Sequence, residues 1–388
     1  VLSSVRSWSA LALIAVGVSV AQAFGRFAYG VLLPAIRDDL GVSNTIAGSI
    51  SAVNVGGYLL GTLLVAWAAG HIRLLQVLRL GLALTAAGLL LAAMATRPEL
   101  LAAALLLTGV GGALVWIPAP IIAADAMPPA KRAVAVGLLG SGIGLGIVFT
   151  GFISGYVRTH FGDAGWSRVY WIDAGIAVVT LVGLLLVVRH DRGETSSRGG
   201  FGGFGALKRM RGWLPLTLAY AAFGFMYLLI IGFLTTRLED DSGWSIQLAS
   251  LTFTIMGIAM VFGGPVSMWV VKRFGARDTI SGVFALWSVL TLIVLGGWFV
   301  PTLIAVVGLG MLFTALPGLV TLFVVENTSA NDYGPAYAAI TLAFGVAQTL
   351  SPQVGGVIAD LAGSFTWVFV LSALVGLAGL IAARRLPT

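Results

Sequence analysis

One permanent charge stands deep inside an apolar run: Arg26, within Ala23-Phe24-Gly25-Arg26-Phe27-Ala28-Tyr29. Read as helix from Trp8, it lies about 27 Å along the axis at 1.5 Å per residue. An ionised side chain at that depth in a bilayer costs at least about 2.5–3.5 kcal/mol, so it should face other helices or a wet cavity. A guanidinium can clamp a carboxylate or phosphate through two parallel hydrogen bonds. Gln22 at i−4 and Tyr29 at i+3 fall on its helix face and complete a candidate anion seat. The competing reading makes Arg26 a strut that pairs with a carboxylate or with helix-end carbonyls, or that snorkels outward. Asp173 is the most embedded acid, about five residues into its own apolar run. It pairs with Arg26, takes up a proton, or pairs with Arg168 at the interface. Asp360 sits similarly near the end of a later run, and no acid lies mid-run.

Other polar side chains share helix faces: Asn54 with Tyr58 at i, i+4, and Tyr220 with Tyr227 at i, i+7; Gln348 lies in a later run. They offer hydrogen bonds either to a solute or to neighbouring helices, the latter typically worth about 0.6 kcal/mol. Asp125 and Glu326, 201 residues apart, close two runs near Lys131, Arg132, Lys272, Arg273 and Arg277. Exposed pairs among these are weak, about 0–1 kcal/mol each, which suits contacts that must break; the bland alternative is solvated loop charge. Pro118, Pro120, Pro317 and Pro352 free backbone carbonyls and can kink their helices. Enzyme chemistry finds no support: there is no phosphate-binding loop and no Ser/His/Asp arrangement in a suitable context. The chain has no Cys and three widely spaced His, so neither a disulfide nor a metal site is expected, and no cofactor.

The elements that carry these residues are written in the composition. Of 388 residues, 59% are hydrophobic and 10% charged, and the mean hydropathy is +1.01. A soluble domain has roughly 25% charged residues, so this chain must bury most of its length in lipid or among helices. Fifty-two Gly permit close helix approach, and eleven Trp suit the bilayer interfaces. A span needs about 20 apolar residues. Twelve runs meet that length, at 8–35, 44–69, 77–95, 100–123, 133–157, 169–188, 213–236, 246–271, 279–298, 302–325, 336–360 and 365–383. The segment Arg189 to Gly212, rich in Arg, Gly and Ser, reads as a flexible linker at mid-chain. Ala21-Gln22-Ala23 resembles a signal-peptidase site, but the apolar run continues to Ile36 and a matching first helix opens the second half, so the run is expected to be retained.

The formal charge of +7 does not indicate nucleic acid, because the basic residues form no single face. They sort by side instead. With the N-terminus inside, 16 of the 22 Lys and Arg fall in cytoplasmic loops, and five (Arg37, Arg97, Arg158, Arg168, Arg237) fall outside. This bias predicts cytoplasmic termini and linker, and an even number of spans. The halves also repeat. Trp8 and Trp213 are 205 apart, Trp67 and Trp269 202, Gly109-x-Gly111 and Gly308-x-Gly310 199, as are Pro118 and Pro317, and Gly151 and Gly355 204. Four offsets in order near 200 are better explained by duplication than by chance. A parallel repeat of two six-span halves places a solute path near the bilayer midplane.

Local motifs carry a family likeness. Leu33-Pro34-Ala35-Ile36-Arg37-Asp38-Asp39-Leu40-Gly41-Val42-Ser43 resembles the major facilitator signature between spans 1 and 2. Asp125-Ala126-Met127-Pro128-Pro129-Ala130-Lys131-Arg132 resembles its span 4–5 loop, and Lys272-Arg273-Phe274-Gly275-Ala276-Arg277 a degenerate copy of its basic span 8–9 loop. Phe24-Gly25-Arg26-Phe27-Ala28-Tyr29-Gly30-Val31-Leu32-Leu33-Pro34 is similar to the hallmark of the YbfB/YjiJ-like branch. Departures are Gly70-His71-Ile72-Arg73, without the usual Asp-Arg pair, Leu105 where proton-coupled members of several branches carry Arg, and a span 5 lacking the drug-antiporter Gly-Pro.

The resemblance implies an all-α integral membrane fold of two six-helix bundles, 1–190 and 213–388, joined by a cytoplasmic linker, 191–212. It implies that spans 1, 2, 4, 5, 7, 8, 10 and 11 line the cavity, which makes Arg26, Gln22, Tyr29, Asn54, Tyr58, Tyr220, Tyr227 and Gln348 the expected solute contacts. Asp125, Arg132, Glu326, Arg273 and Arg277 are the expected gate, and Asp173 a candidate coupling acid. The expected protein is a monomeric, gradient-driven or facilitative transporter of a small organic anion in a bacterial inner membrane, with a proton or counter-anion as coupled partner. Efflux of drug- or sugar-like compounds by proton antiport is the alternative, and a non-transporting receptor or scaffold on the same fold the remote one.

Overall fold

The computed structural model describes residues 4–68, 71–188 and 203–387. Within them the chain is helical throughout, as lipid requires: a spanning segment must satisfy every backbone N–H and C=O internally. Arg189, Arg192, Arg198 and residues 191–202 of the expected linker lie outside the described residues, as does Gly70.

Span 1 runs through three consecutive pieces, an α-helix Ser4–Ser19, a π-helical stretch Val20–Phe27 and an α-helix Ala28–Leu40. Gly41 ends it in the left-handed conformation at φ 61°, where a Cβ would be strained, and its N–H caps the Arg37 carbonyl. Spans 2 and 3 are Asn44–Ala68 and Leu74–Ala93. Span 4 is Pro98–Trp116 continued by Ala119–Asp125. The break falls at Pro118, which has no N–H for the ladder. Pro317 and Pro352, expected to act alike, remain inside continuous helices. Spans 5, 6 and 7 are Arg132–Phe161, Trp166–Val187 and Trp213–Thr236.

Helix continues without a gap over Ile246–Leu295, 50 residues, far longer than one crossing needs. Gly275 divides it: at φ 79°, ψ 167° it adopts a conformation closed to other residues, so residues 246–274 form span 8 and 276–295 span 9. The expected interhelical loop is thus a single hinge residue. Spans 10, 11 and 12 are Phe299–Asn327, Ala330–Ala362 and Thr366–Arg384. Span 11 starts six residues earlier than hydropathy suggests, because the Ser329 side chain caps the Asp332 N–H and opens the helix in polar sequence.

Two compact units emerge: Val1–Val42 with Val53–Gly199, and Ser43–Ala52 with Gly200–Thr388. Each repeats one packing device. In the first, Gly61 of span 2 lies so close to span 4 that an added Cβ would meet the Val110 carbonyl oxygen at 2.6 Å and the Ala113 Cβ at 2.8 Å. In the second, Gly263 of span 8 lies as close to Met311 and Thr314 of span 10. Gly263 is 202 residues after Gly61, and Met311 and Thr314 are each 201 after their counterparts. Duplication has preserved a backbone-to-backbone crossing, which lipid favours because helix association there relies on close packing.

Two arginines expected as outer loop charge prove to be struts. Arg158 is 1% exposed and bonds Asp163 at 2.8 Å. Arg237 is buried, donating to Ser242 at 2.9 Å and to the Leu295 carbonyl at 3.0 Å, with Asp241 at 3.4 Å.

Candidate functional site

The first site grows from the π-helical stretch of span 1. Wider π winding leaves carbonyls without their regular partners and is frequent at functional sites. Here the Gly25 carbonyl accepts from the Thr108 hydroxyl of span 4 at 2.7 Å and from the Asn54 amide of span 2 at 2.9 Å. The Asn54 Nδ2 also lies 2.8 Å from the Leu105 carbonyl and 2.9 Å from Thr108 Oγ1. Gly25 permits this convergence; a Cβ there would come within 3.3 Å of Thr85 and Thr108. Asn54 is therefore a framework tie that fixes spans 1, 2 and 4, because its amide protons already have buried acceptors.

On this framework Arg26 is half-buried, its guanidinium 4.7 Å from the centre of the Tyr58 ring and 5.6 Å from that of Phe27. The Gln22 amide donates to the Gly112 carbonyl at 3.1 Å. Gly112 also faces the Tyr58 ring, where a Cβ would sit at 3.5 Å. Tyr58 and Gln22 thus meet at Gly112, with Arg26 against the Tyr58 ring. Tyr29 is 3% exposed and lies close enough to Tyr170 of span 6 to interact with it electrostatically.

Asp173 pairs with neither expected partner. Both carboxyl oxygens are buried without a hydrogen bond among the described residues, and Arg168 instead lies 3.9 Å from the centre of the Phe161 ring.

A second site lies in the other unit. Tyr220 stacks on Phe344 at 4.5 Å and 17°, and Tyr227 lies parallel to Phe344 at 5.9 Å and 7°. Phe223 joins Tyr227 at 5.2 Å, and Phe313 closes on Tyr227 at 5.1 Å. The Tyr227 hydroxyl donates to Gln348 Oε1 at 2.8 Å. Tyr220, Tyr227 and Gln348, expected singly, form one cluster. Phe223, Phe313 and Phe344 were missed, although Phe223–Tyr227 and Phe344–Gln348 are i, i+4 pairs on their helices. Gly224 makes room for the ring of Phe344, which an added Cβ would meet at 2.8 Å.

Of the expected gate residues, Asp125, Arg132, Glu326 and Arg273 are exposed and Arg277 is half-buried; among the described residues no ion pair joins Asp125 to Arg132 within the first unit, or Glu326 to Arg273 or Arg277 within the second. Water solvates such charges nearly as well as a partner does. Arg209, on the short helix Gly203–Arg209, pairs with Asp332 of span 11 at 2.6 and 3.2 Å.

Residues 18–384 match the family described as uncharacterised MFS-type transporter YbfB. A probable actinorhodin transporter of Streptomyces coelicolor is 30% identical over 48% of this chain and 32% of its own length. The 4-hydroxybenzoate transporter PcaK of Acinetobacter baylyi is 24% identical over 72% of this chain and 68% of its own. A hexuronate transporter of Bacillus subtilis is 26% identical over 63% of each. The chain thus spans about a third of the first relative's length and about two thirds of the other two. Among solved structures, the nucleoside transporter NupG aligns with a TM-score of 0.81 at 13% identity, covering 97% of this chain and 98% of its own, a likeness of fold alone.

Proposed function

This chain belongs to the YbfB family of MFS-type membrane transporters, and from that premise we propose that it moves a small organic anion by alternating access, with Arg26 as the anion seat. Arg26 carries the proposal: a permanent cation, half-buried in the irregular stretch of a spanning helix and stacked on Tyr58. A guanidinium against an aromatic face remains a full cation, and its planar fork matches a carboxylate. Gln22 beside it adds a polar neighbour. The names of two relatives, for 4-hydroxybenzoate and hexuronate, both denote carboxylates. The reading includes a bacterial inner membrane with cytoplasmic termini, as the loop charges favour.

A second reading, efflux of flat drug-like compounds, draws on the stack of Tyr220, Phe344 and Tyr227. Offset or parallel rings of this kind accept another aromatic ring readily.

The test is ligand-induced thermal stabilisation of purified protein by 4-hydroxybenzoate, glucuronate, neutral sugars and cationic aromatic drugs, with Arg26→Gln alongside. The expected result is stabilisation by the carboxylates that vanishes in the variant. Stabilisation by neutral or cationic compounds alone, unchanged in Arg26→Gln, refutes the anion seat and leaves the efflux reading.

A further inference from the structure

Buried polar groups in proteins almost always have partners, and an acid among apolar helices is costly unless it has a use. Asp173 breaks the first rule. It is 0% exposed, seven residues inside span 6 from Trp166, or about 10 Å at 1.5 Å per residue. Neither carboxyl oxygen has a hydrogen bond among the described residues. One helical turn away the Tyr170 hydroxyl is likewise buried and unbonded, and it lies within electrostatic reach of both Asp173 and Tyr29. Span 5, which packs against spans 1 and 6, carries two more buried hydroxyls without partners, Thr150 and Ser154.

The charged groups of the surrounding helices are engaged elsewhere. Arg79 of span 3 bonds the Val188 carbonyl at the opposite end of span 6. Arg158 and Asp163 bond one another. Asp39 accepts from the Trp166 indole at 2.8 Å, and Arg37 lies 2.8 Å from Asp38. Arg168 lies over the Phe161 ring, His160 against the Tyr156 ring, and Arg26 over that of Tyr58. Tyr170 is the titratable neighbour of Asp173, and Tyr29 lies beyond it, within electrostatic reach of Tyr170.

A structural acid would be tied by hydrogen bonds or by a cation, and truncating it to an apolar side chain here would leave no partner stranded. We propose that Asp173 is a proton-binding site that couples transport to a proton gradient. The carboxylate takes one proton from one side of the membrane and becomes a neutral acid, which an apolar interior tolerates. When access changes, the acid returns that proton to the other side; no other bond is made or broken. Tyr170 and Tyr29 form the polar neighbourhood through which the proton reaches or leaves it. The inference rests on the transport reading but not on the identity of the solute.

Infrared difference spectra of the protein in phosphatidylethanolamine/phosphatidylglycerol vesicles, titrated with pH, test it directly. The expected result is a protonated-carboxyl C=O stretch that disappears in Asp173→Asn, moves in Asp173→Glu, and shifts its pH midpoint in Tyr170→Phe. If Asp173→Asn does not fold, the displaced band of Asp173→Glu makes the assignment. A spectrum unaltered by these substitutions at every pH overturns the proposal. In the same vesicles, uptake of 4-hydroxybenzoate under an acid-outside gradient should lose its gradient dependence in Asp173→Asn; gradient-driven uptake equal to wild type also overturns it. Wild-type vesicles that take up no 4-hydroxybenzoate refute the solute assignment, and the infrared result then decides Asp173 alone.

Discussion

Replacing Gly109 with Ala would reach the anion seat without touching it. Gly109 of span 4 lies against the backbone of span 2. A Cβ added there would sit 3.0 Å from the Asn54 carbonyl carbon and 3.0 Å from the Tyr58 nitrogen, and closer still to the Asn54 carbonyl oxygen. Ordinary contact begins at 3.4 Å, and the atoms it meets are backbone that cannot rotate away. The two helices must part by several tenths of an ångström or more. Overpacking of this kind costs about 1–3 kcal/mol, against a gain of up to about 1 kcal/mol from the better helix propensity of Ala. The residues displaced are the ones that matter: Asn54 holds Gly25 and Thr108, and Tyr58 supports Arg26. Gly140→Ala of span 5 is the control, since nothing lies within 4 Å of its Cβ position. Intrinsic Trp fluorescence against temperature should show Gly109→Ala melting below wild type, and Gly140→Ala at or above it. Carboxylate stabilisation should weaken in the first and persist in the second. Equal melting of the two variants would refute the argument that the span 2–span 4 crossing positions the seat.

Asp360→Ala should destabilise by about 1 kcal/mol, as lost helix caps do, because its carboxylate accepts from the backbone N–H groups of Asn44 and Thr45 at 3.0 and 2.7 Å; chemical denaturation in mild detergent measures this. Tyr227→Phe removes the hydroxyl that donates to Gln348, and should cost about 0.5–1.5 kcal/mol, the net contribution of one hydrogen bond. The ring stack survives that change, so binding of a flat aromatic solute should weaken less than in Phe344→Ala, as equilibrium binding of 4-hydroxybenzoate would report.

Hydropathy alone determined that this chain is a bundle of spanning helices, since about 20 apolar residues have no other stable form in lipid. Near-200 offsets such as Gly109 to Gly308 carried the duplication, and the YbfB-type run around Arg26 carried the family. Arg26 and Tyr58 were legible as polar groups at telling depths. Tertiary structure decided what each one touches. Gln22 meets Gly112, Arg26 meets Tyr58 and Tyr29 reaches Tyr170 of span 6, contacts that spacing along one helix does not foretell. Asn54 turned from solute contact into framework because three acceptors from spans 1 and 4 happen to converge on it. The aromatic cluster around Phe344 escaped detection because apolar rings give no signal against an apolar background; only the packing of separate helices brings them together. Spacing along one helix fixes which side chains share a face, but the atoms opposite that face come from residues far away in the chain, and the crossings of glycine-lined helices select them.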